Sequence, residues 1–138
     1  MSLDQPIVQR FLDTKHVIVL ATVQPDGAPL ATAMWFLHDS ATLTMISVDN
    51  LQKIHNLRRD PRVSVVAEAS DVKGGGGRGV ALQGRVEFLA DGPERRALVD
   101  RFHTKYPELQ HHWKGRPMPP DRVMFKIVPG RVRTWGLD

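Results

Sequence analysis

Short apolar runs, each bounded by turn signals, are the feature that most narrows what this chain can fold into. HVIVLATV (residues 16–23) is an unbroken run rich in β-branched residues and reads as a strand buried on both faces. QPDG follows, with Pro25 suited to the first corner of a turn and Gly27 to positive φ. APLATAMWFLHD (28–39) is the expected hairpin partner, and its weak alternation again suggests burial on both faces. ATLTMISV (41–48) sets Leu43, Met45 and Ser47 on one face and Thr42, Thr44, Ile46 and Val48 on the other. RVSVVAEAS (62–70) is a fourth strand, and VALQGRVEFL (80–89) a fifth, with Gly84 marking a bulge or bend. The last 18 residues predict two more strands, broken at Pro129–Gly130. Many short strands with turns between them predict a mainly β chain with short helices, a barrel or a sandwich of six to seven antiparallel strands. No repeat and no second domain is visible, so residues 1–138 read as one domain.

Helical spacing enters in four places. DQPIVQRFLD (4–13) groups Ile7, Val8 and Phe11, with Asp4 as an expected cap. The stretch SVDNLQKIHNLRRDPRVSVV (47–66) joins two strands through a helix with Leu51, Ile54 and Leu57 on one face. Asp49 and Gln52 suggest a capping box, and Pro61 stops the helix. From Asp91 the period is helical again, with Leu98, Val99 and Phe102 on one side, and ELQHHW (108–113) adds a further turn.

The 47–66 stretch gathers Lys53, His55, Arg58, Arg59 and Arg62. A strand, a polar cap, a helix start and a lysine one turn in can form an anion site. The same pattern also describes a solvated basic helix packed on a barrel. The formal charge of +4 favours anionic partners, of which a phosphorylated cofactor is one. Nucleic acid is disfavoured, because aromatics are only 7% of the chain and form no ladder with the basic residues. The chain has no cysteine, which excludes disulfides and thiolate chemistry and fits a reducing cytoplasm. No apolar run approaches membrane-spanning length, and no leader pattern opens the sequence.

Other motifs fall away on context. Gly74, Gly76 and Gly79 satisfy the letters of a dinucleotide-binding fingerprint, but a strand follows where that fingerprint needs a helix. The glycine loop then reads as a hairpin turn, or as a flap over a ligand. His111 and His112 are adjacent and cannot share one point from a helix, and no HExxH pattern is present, so no metal site is expected. No serine sits in a nucleophile elbow. Trp35, Trp113 and Trp135 read as core or interface aromatics, or as neighbours of a flat ligand.

Taken in order, the N-terminal helix, LATVQPDGAPLATAMWF, QKIHNLRRDPRVSVVAEA and VALQGRVEFL resemble the pyridoxamine 5′-phosphate oxidase-like split β-barrels over nearly the whole chain. The most specific part is K-x-x-N-L-R-R-D-P-R-V at Lys53–Val63, and RVRTWGL resembles the ending of the flavin- and deazaflavin (F420)-dependent oxidoreductases. The resemblance implies a cytoplasmic homodimer with F420 or FMN at the interface and hydride exchange with an organic substrate. It matches Lys53 to the phosphate-binding lysine, and Ser47 and Val48 to the strand end beside the phosphate. Arg58 and Arg59 match the family's paired arginines. Ala33, Met34 and Trp35 match the segment along the ring system, and Arg133 and Trp135 a C-terminal segment near it. Leu51, Gln52 and His55 stand where relatives often carry cations. The chain ends at Asp138 without the extension in which the pyridoxamine-phosphate branch holds its substrate, so that activity is not expected. No general acid or other catalytic residue can be named. A non-catalytic carrier of FMN, F420 or haem, and a ligand-free module docking an acidic partner, are the rival readings.

Overall fold

The computed structural model describes residues 1–70 and 77–137. Seven strands form one antiparallel sheet: β1 (Ile18–Val23), β2 (Pro29–Met34), β3 (Leu37–His38), β4 (Leu43–Val48), β5 (Arg62–Ser70), β6 (Gly77–Leu89) and β7 (Arg122–Trp135). Four helices accompany it: α1 (Pro6–Asp13), α2 (Gln52–Arg59), α3 (Pro93–Lys105) and α4 (Leu109–Trp113). The strand order is β2-β1-β5-β6-β7-β4-β3.

That order explains where sequence and structure part. The run 28–39 reads as one strand, yet it is two, and they lie on opposite edges of the sheet. β2 pairs with β1 and β3 with β4, so Trp35 and Phe36 step from one edge to the other. The sheet thus curls into an open half-barrel whose seam has no ladder. A seam leaves backbone groups to satisfy by other means. The Phe36 N–H donates to the Tyr106 hydroxyl at 2.9 Å, and the Phe36 carbonyl accepts from the Lys105 amine at 2.9 Å. The hydroxyl lies 2.9 Å from the His16 carbonyl and 3.1 Å from that of Phe36, and donates to one of them. The end of α3 therefore closes the seam.

At the C-terminus the two expected strands are one. β7 runs through Pro129, and a register shift at Gln83/Gly84 on β6 absorbs the irregularity. Gly84 is required there: a Cβ would stand 2.3 Å from the Val128 carbonyl oxygen. One run split and one pair fused leave the total at seven.

The barrel interior packs Val8, Phe11 and Leu12 of α1 and Ile54 and Leu57 of α2 against Leu20, Met45, Val65, Leu82 and Ile127. Each such side chain contributes roughly 1.5–3 kcal/mol when fully buried. A second cluster joins Leu98, Val99, Phe102, Tyr106 and Leu109 to Leu37 and Met124 outside the barrel wall. β1 is not buried on both faces. Ile18 and Leu20 point inward, whereas Val19 remains 37% exposed on the outer face.

Neither expected cap forms. α1 and α2 begin after Gln5 and Leu51, with no side-chain cap on either. Asp4 instead accepts from the Ser2 hydroxyl, Asp49 pairs with Arg58, and the Gln52 side chain donates to Asn56. Gly74 and Gly76 lie outside the described residues, while Gly77 and Gly79 open β6. No described helix is long and apolar enough to cross a membrane.

Candidate functional site

A cleft of about 350 Å³ opens beside the seam. The end of β2 supplies Ala33, Met34 and Trp35, and the end of β4 supplies Ile46, Ser47 and Val48. Leu51 and Lys53 enter from the start of α2, Arg122 from the start of β7, and Phe102, Leu109 and Trp113 from α3 and α4. Ser47 and Val48 face Val123 and Arg122 in the β4–β7 ladder, which fixes the cationic end of the cleft. The opposite wall is aromatic and aliphatic.

Lys53 is the distinctive group. Its amine is half-buried, and burial holds its pKa below the ordinary lysine value. Its one hydrogen-bond partner among the described residues is the Met34 thioether, at 3.1 Å. A thioether is a weak acceptor. No carboxylate lines the cleft among the described residues. A desolvated ammonium with so poor a partner suits an anionic ligand, since buried charges are ordinarily matched by a strong counterpart. Gln52 and Lys53 also open α2, where backbone N–H groups have no intrahelical acceptor. Arg122 is less free, being paired with Asp121. Ser47 is 7% exposed, and its hydroxyl donates to the Val48 carbonyl at 3.1 Å.

The apolar wall is rigid. Trp35 stacks on Tyr106 with centroids 4.4 Å apart and planes 4° from parallel. Tyr106 is fully buried, and burial raises its pKa to about 12, so it stays a neutral donor. Because its hydroxyl is tied to the seam backbone, the indole rests on a fixed support. Trp113 packs edge-on against His103, with centroids 5.3 Å apart. A cation at one end, a flat aromatic wall and no acid suit a planar ligand carrying a phosphate.

Six of the residues expected at a cofactor line this cleft together: Ala33, Met34, Trp35, Ser47, Val48 and Lys53. Four do not. Arg58 pairs with Asp49 at 2.7 Å, and its guanidinium lies 4.6 Å from the Phe88 ring centroid. Arg59 donates to the Val23 carbonyl. Arg133 and Trp135 lie on β7 at the far side of the sheet: the register runs Ala33–Val19–Val66–Ala81–Arg133. Four strand spacings, roughly 19 Å along the sheet, separate Ala33 from Arg133. Trp135 covers Gly79, where a Cβ would stand 2.2 Å from the indole. Sequence reasoning did not place Phe102, Leu109, Trp113 or Arg122 at the site. Phe102 carried only the spacing of a helix core face.

A conserved hypothetical protein of Mycobacterium tuberculosis is 30% identical, with 94% of this chain and 82% of that one covered and a TM-score of 0.75. A FAD-binding protein of Mesorhizobium loti is 25% identical, covering 91% and 87%, at a TM-score of 0.73. A protein described as an F420 reductase is 26% identical, covering 91% and 94%, at a TM-score of 0.62. No curated protein matches in sequence. Residues 5–136 match the family described as pyridoxamine 5′-phosphate oxidase, and this chain, with its flavin- and F420-binding type of split β-barrel, belongs to that family.

Proposed function

We propose that the protein is an oxidoreductase that holds FMN or F420 by its phosphate in the cleft and exchanges a hydride with an organic substrate. The observation that carries this reading is the Lys53 amine: half-buried, facing a thioether, in a cleft that no carboxylate of the described residues lines. The bound cofactor would supply the redox chemistry. The residues of this chain bind, orient and exclude water. Lys53 meets the phosphate as a point charge, helped by the Ser47 hydroxyl and the first N–H groups of α2. Ala33, Met34 and Trp35 run beside the ring system. Phe102, Leu109 and Trp113 form a dry wall on the substrate side. The relatives that bind FAD or are described as an F420 reductase support the cofactor class.

The reading includes a homodimer. Arg133 and Trp135 cannot reach the cleft of their own chain across four strand spacings. A second copy packed on the outer face would bring its own pair toward it. That face offers Val19 and Val66, 37% and 38% exposed, beside Ala21, Ala33 and Ala81.

The test has three readouts. Titration with FMN and with F420, followed by fluorescence, is expected to show binding of at least one. Sedimentation is expected to give a dimer. Oxidation of the reduced cofactor by a panel of quinones and enones is expected to be catalysed. Binding without turnover would make the protein a carrier, and no binding of either cofactor would overturn the reading altogether.

A further inference from the structure

A second cavity, also of about 350 Å³, shares no residue with the cleft. Asp13 enters it from the end of α1, Leu37 and His38 from β3, and Arg101, Thr104 and Lys105 from the last turns of α3. None of them belongs to β1, β2, β5 or β6, whose outer face the proposed dimer covers. Arg101 and Lys105 are one helical turn apart and share a face of α3. The Lys105 amine sits over the Phe36 ring, 3.7 Å from its centroid, and donates to the Phe36 carbonyl at 2.9 Å.

The one carboxylate lining this cavity is engaged elsewhere. Asp13 accepts from His38 Nε2 at 2.7 Å. Arg101 donates to the His38 carbonyl at 3.1 Å through one nitrogen, which leaves the rest of its fork toward the cavity's solvent side. Among the described residues neither Arg101 nor Lys105 forms an ion pair. A half-buried lysine beside another cation, without a counterion, moves toward its neutral, nucleophilic form. Burial brings the Lys105 pKa down to about 8, with Asp13 opposing and Arg101 assisting. That raises the neutral fraction at pH 7 by roughly two orders of magnitude over an ordinary lysine.

We propose that Lys105 condenses with a small 2-oxo acid whose carboxylate is held by Arg101. The amine nitrogen adds to the keto carbon, and the keto oxygen leaves as water with the two amine hydrogens, so nothing is oxidised or reduced. A guanidinium fork takes both oxygens of a carboxylate. Leu37 offers apolar surface to the ligand's alkyl end. Once protonated, the imine keeps one N–H, which goes on donating to the Phe36 carbonyl, so the seam stays tied. The proposal does not rest on the cofactor reading, because Lys105 and Arg101 do not line the cleft.

The test incubates the intact protein with pyruvate and sodium cyanoborohydride, which fixes an imine as a stable secondary amine, and locates the label by peptide mass. Saturable labelling at Lys105, ahead of every other lysine, is expected. Lys105→Arg keeps a donor for the Phe36 carbonyl and cannot condense. It is expected to melt like the parent and to lose that label. Propanal has the same reacting carbonyl type without the carboxylate. Arg101→Gln is expected to lower the preference of Lys105 for pyruvate over propanal about tenfold, the scale of one lost charge-assisted contact. Taking the ratio cancels any change in the amine itself. Lys53→Ala is expected to keep the full label at Lys105. Labelling that does not saturate, that merely follows exposure among the lysines, or that keeps its preference for pyruvate in Arg101→Gln would each overturn the proposal.

Discussion

The cleft and the second cavity each hold one half-buried lysine, and they are built in opposite ways. The cleft sets Lys53 against an apolar wall. The second cavity sets Lys105 one turn from Arg101, with Asp13 engaged by His38. In the first, desolvation makes a single charge strong and short-ranged. In the second, burial and a cationic neighbour favour the amine without its proton. A basic residue count cannot tell these apart. The difference lies in what surrounds each charge, and that comes from the seam: β2 and β4 end beside it, and α3 and α4 lie over it.

The largest effect should come from removing the desolvated charge. Lys53→Ala is expected to weaken FMN or F420 binding by roughly 1.5–3 kcal/mol, about 10- to 150-fold, the range for a hydrogen bond to a charged group. Equilibrium titration measures it. An unchanged affinity would mean that the Lys53 charge holds no ligand and would end the contrast.

Tyr106→Phe attacks the support rather than the charge. It strips the acceptor from the buried Phe36 N–H at the seam. An orphaned buried donor costs about 1–3 kcal/mol. Denaturant unfolding should show that loss. The seam tie behind Trp35 goes with it, so near-ultraviolet dichroism should change too. An unaltered stability would mean that the seam is not held by the end of α3.

These two residues also mark how far the sequence could be read. Lys53 was legible because strand, helix start and lysine are contiguous within the 47–66 stretch. Tyr106 was not, because its partners are 70 and 90 residues away. The split of 28–39 was hidden for a related reason. A segment that leaves one sheet edge for the other stays apolar throughout, so its composition does not register the step. Arg58 and Arg59 show another limit. Five and six residues after Lys53, they sit about 140° and 240° around the helix at 3.6 residues per turn, so adjacency in a motif does not give adjacency in a site. Phe102 looked like core because a cleft wall and a core face share one spacing, and Trp113 read equally as a packing aromatic or the neighbour of a flat ligand.

Salt should separate the two regions next. Raising ionic strength shortens the screening length from about 8 Å at physiological salt to about 3 Å at 1 M. The preference of Lys105 for pyruvate over propanal leans on the exposed Arg101 and should fall across that range, and cofactor binding in the cleft much less. Trapping rates and titrations at low and high chloride measure both slopes. Equal slopes would mean that water reaches Lys53 as freely as Arg101.

The smallest effect is in pH, and it follows from burial having lowered the pKa of each lysine. Lys105, which donates to the seam carbonyl of Phe36, is half-buried and is pushed down to about 8 from 10.5. An unfolded chain holds that proton up to 10.5, so between pH 8 and 10.5 the unfolded state binds more protons. Stability contributed by this group should therefore rise with pH across that window. The partial exposure of Lys105 cuts the effect to on the order of 1 kcal/mol. Lys53, also lowered by burial, adds to the slope in the same direction. If Lys53 holds the phosphate as proposed, cofactor affinity should move the other way, because its ammonium is lost before an ordinary lysine would lose its proton. Melting temperatures and titrations from pH 7.5 to 10.5 test both slopes, and Lys105→Gln should flatten the first while leaving the second unchanged. A cofactor affinity that lost its slope in Lys105→Gln would show that one lysine serves both regions.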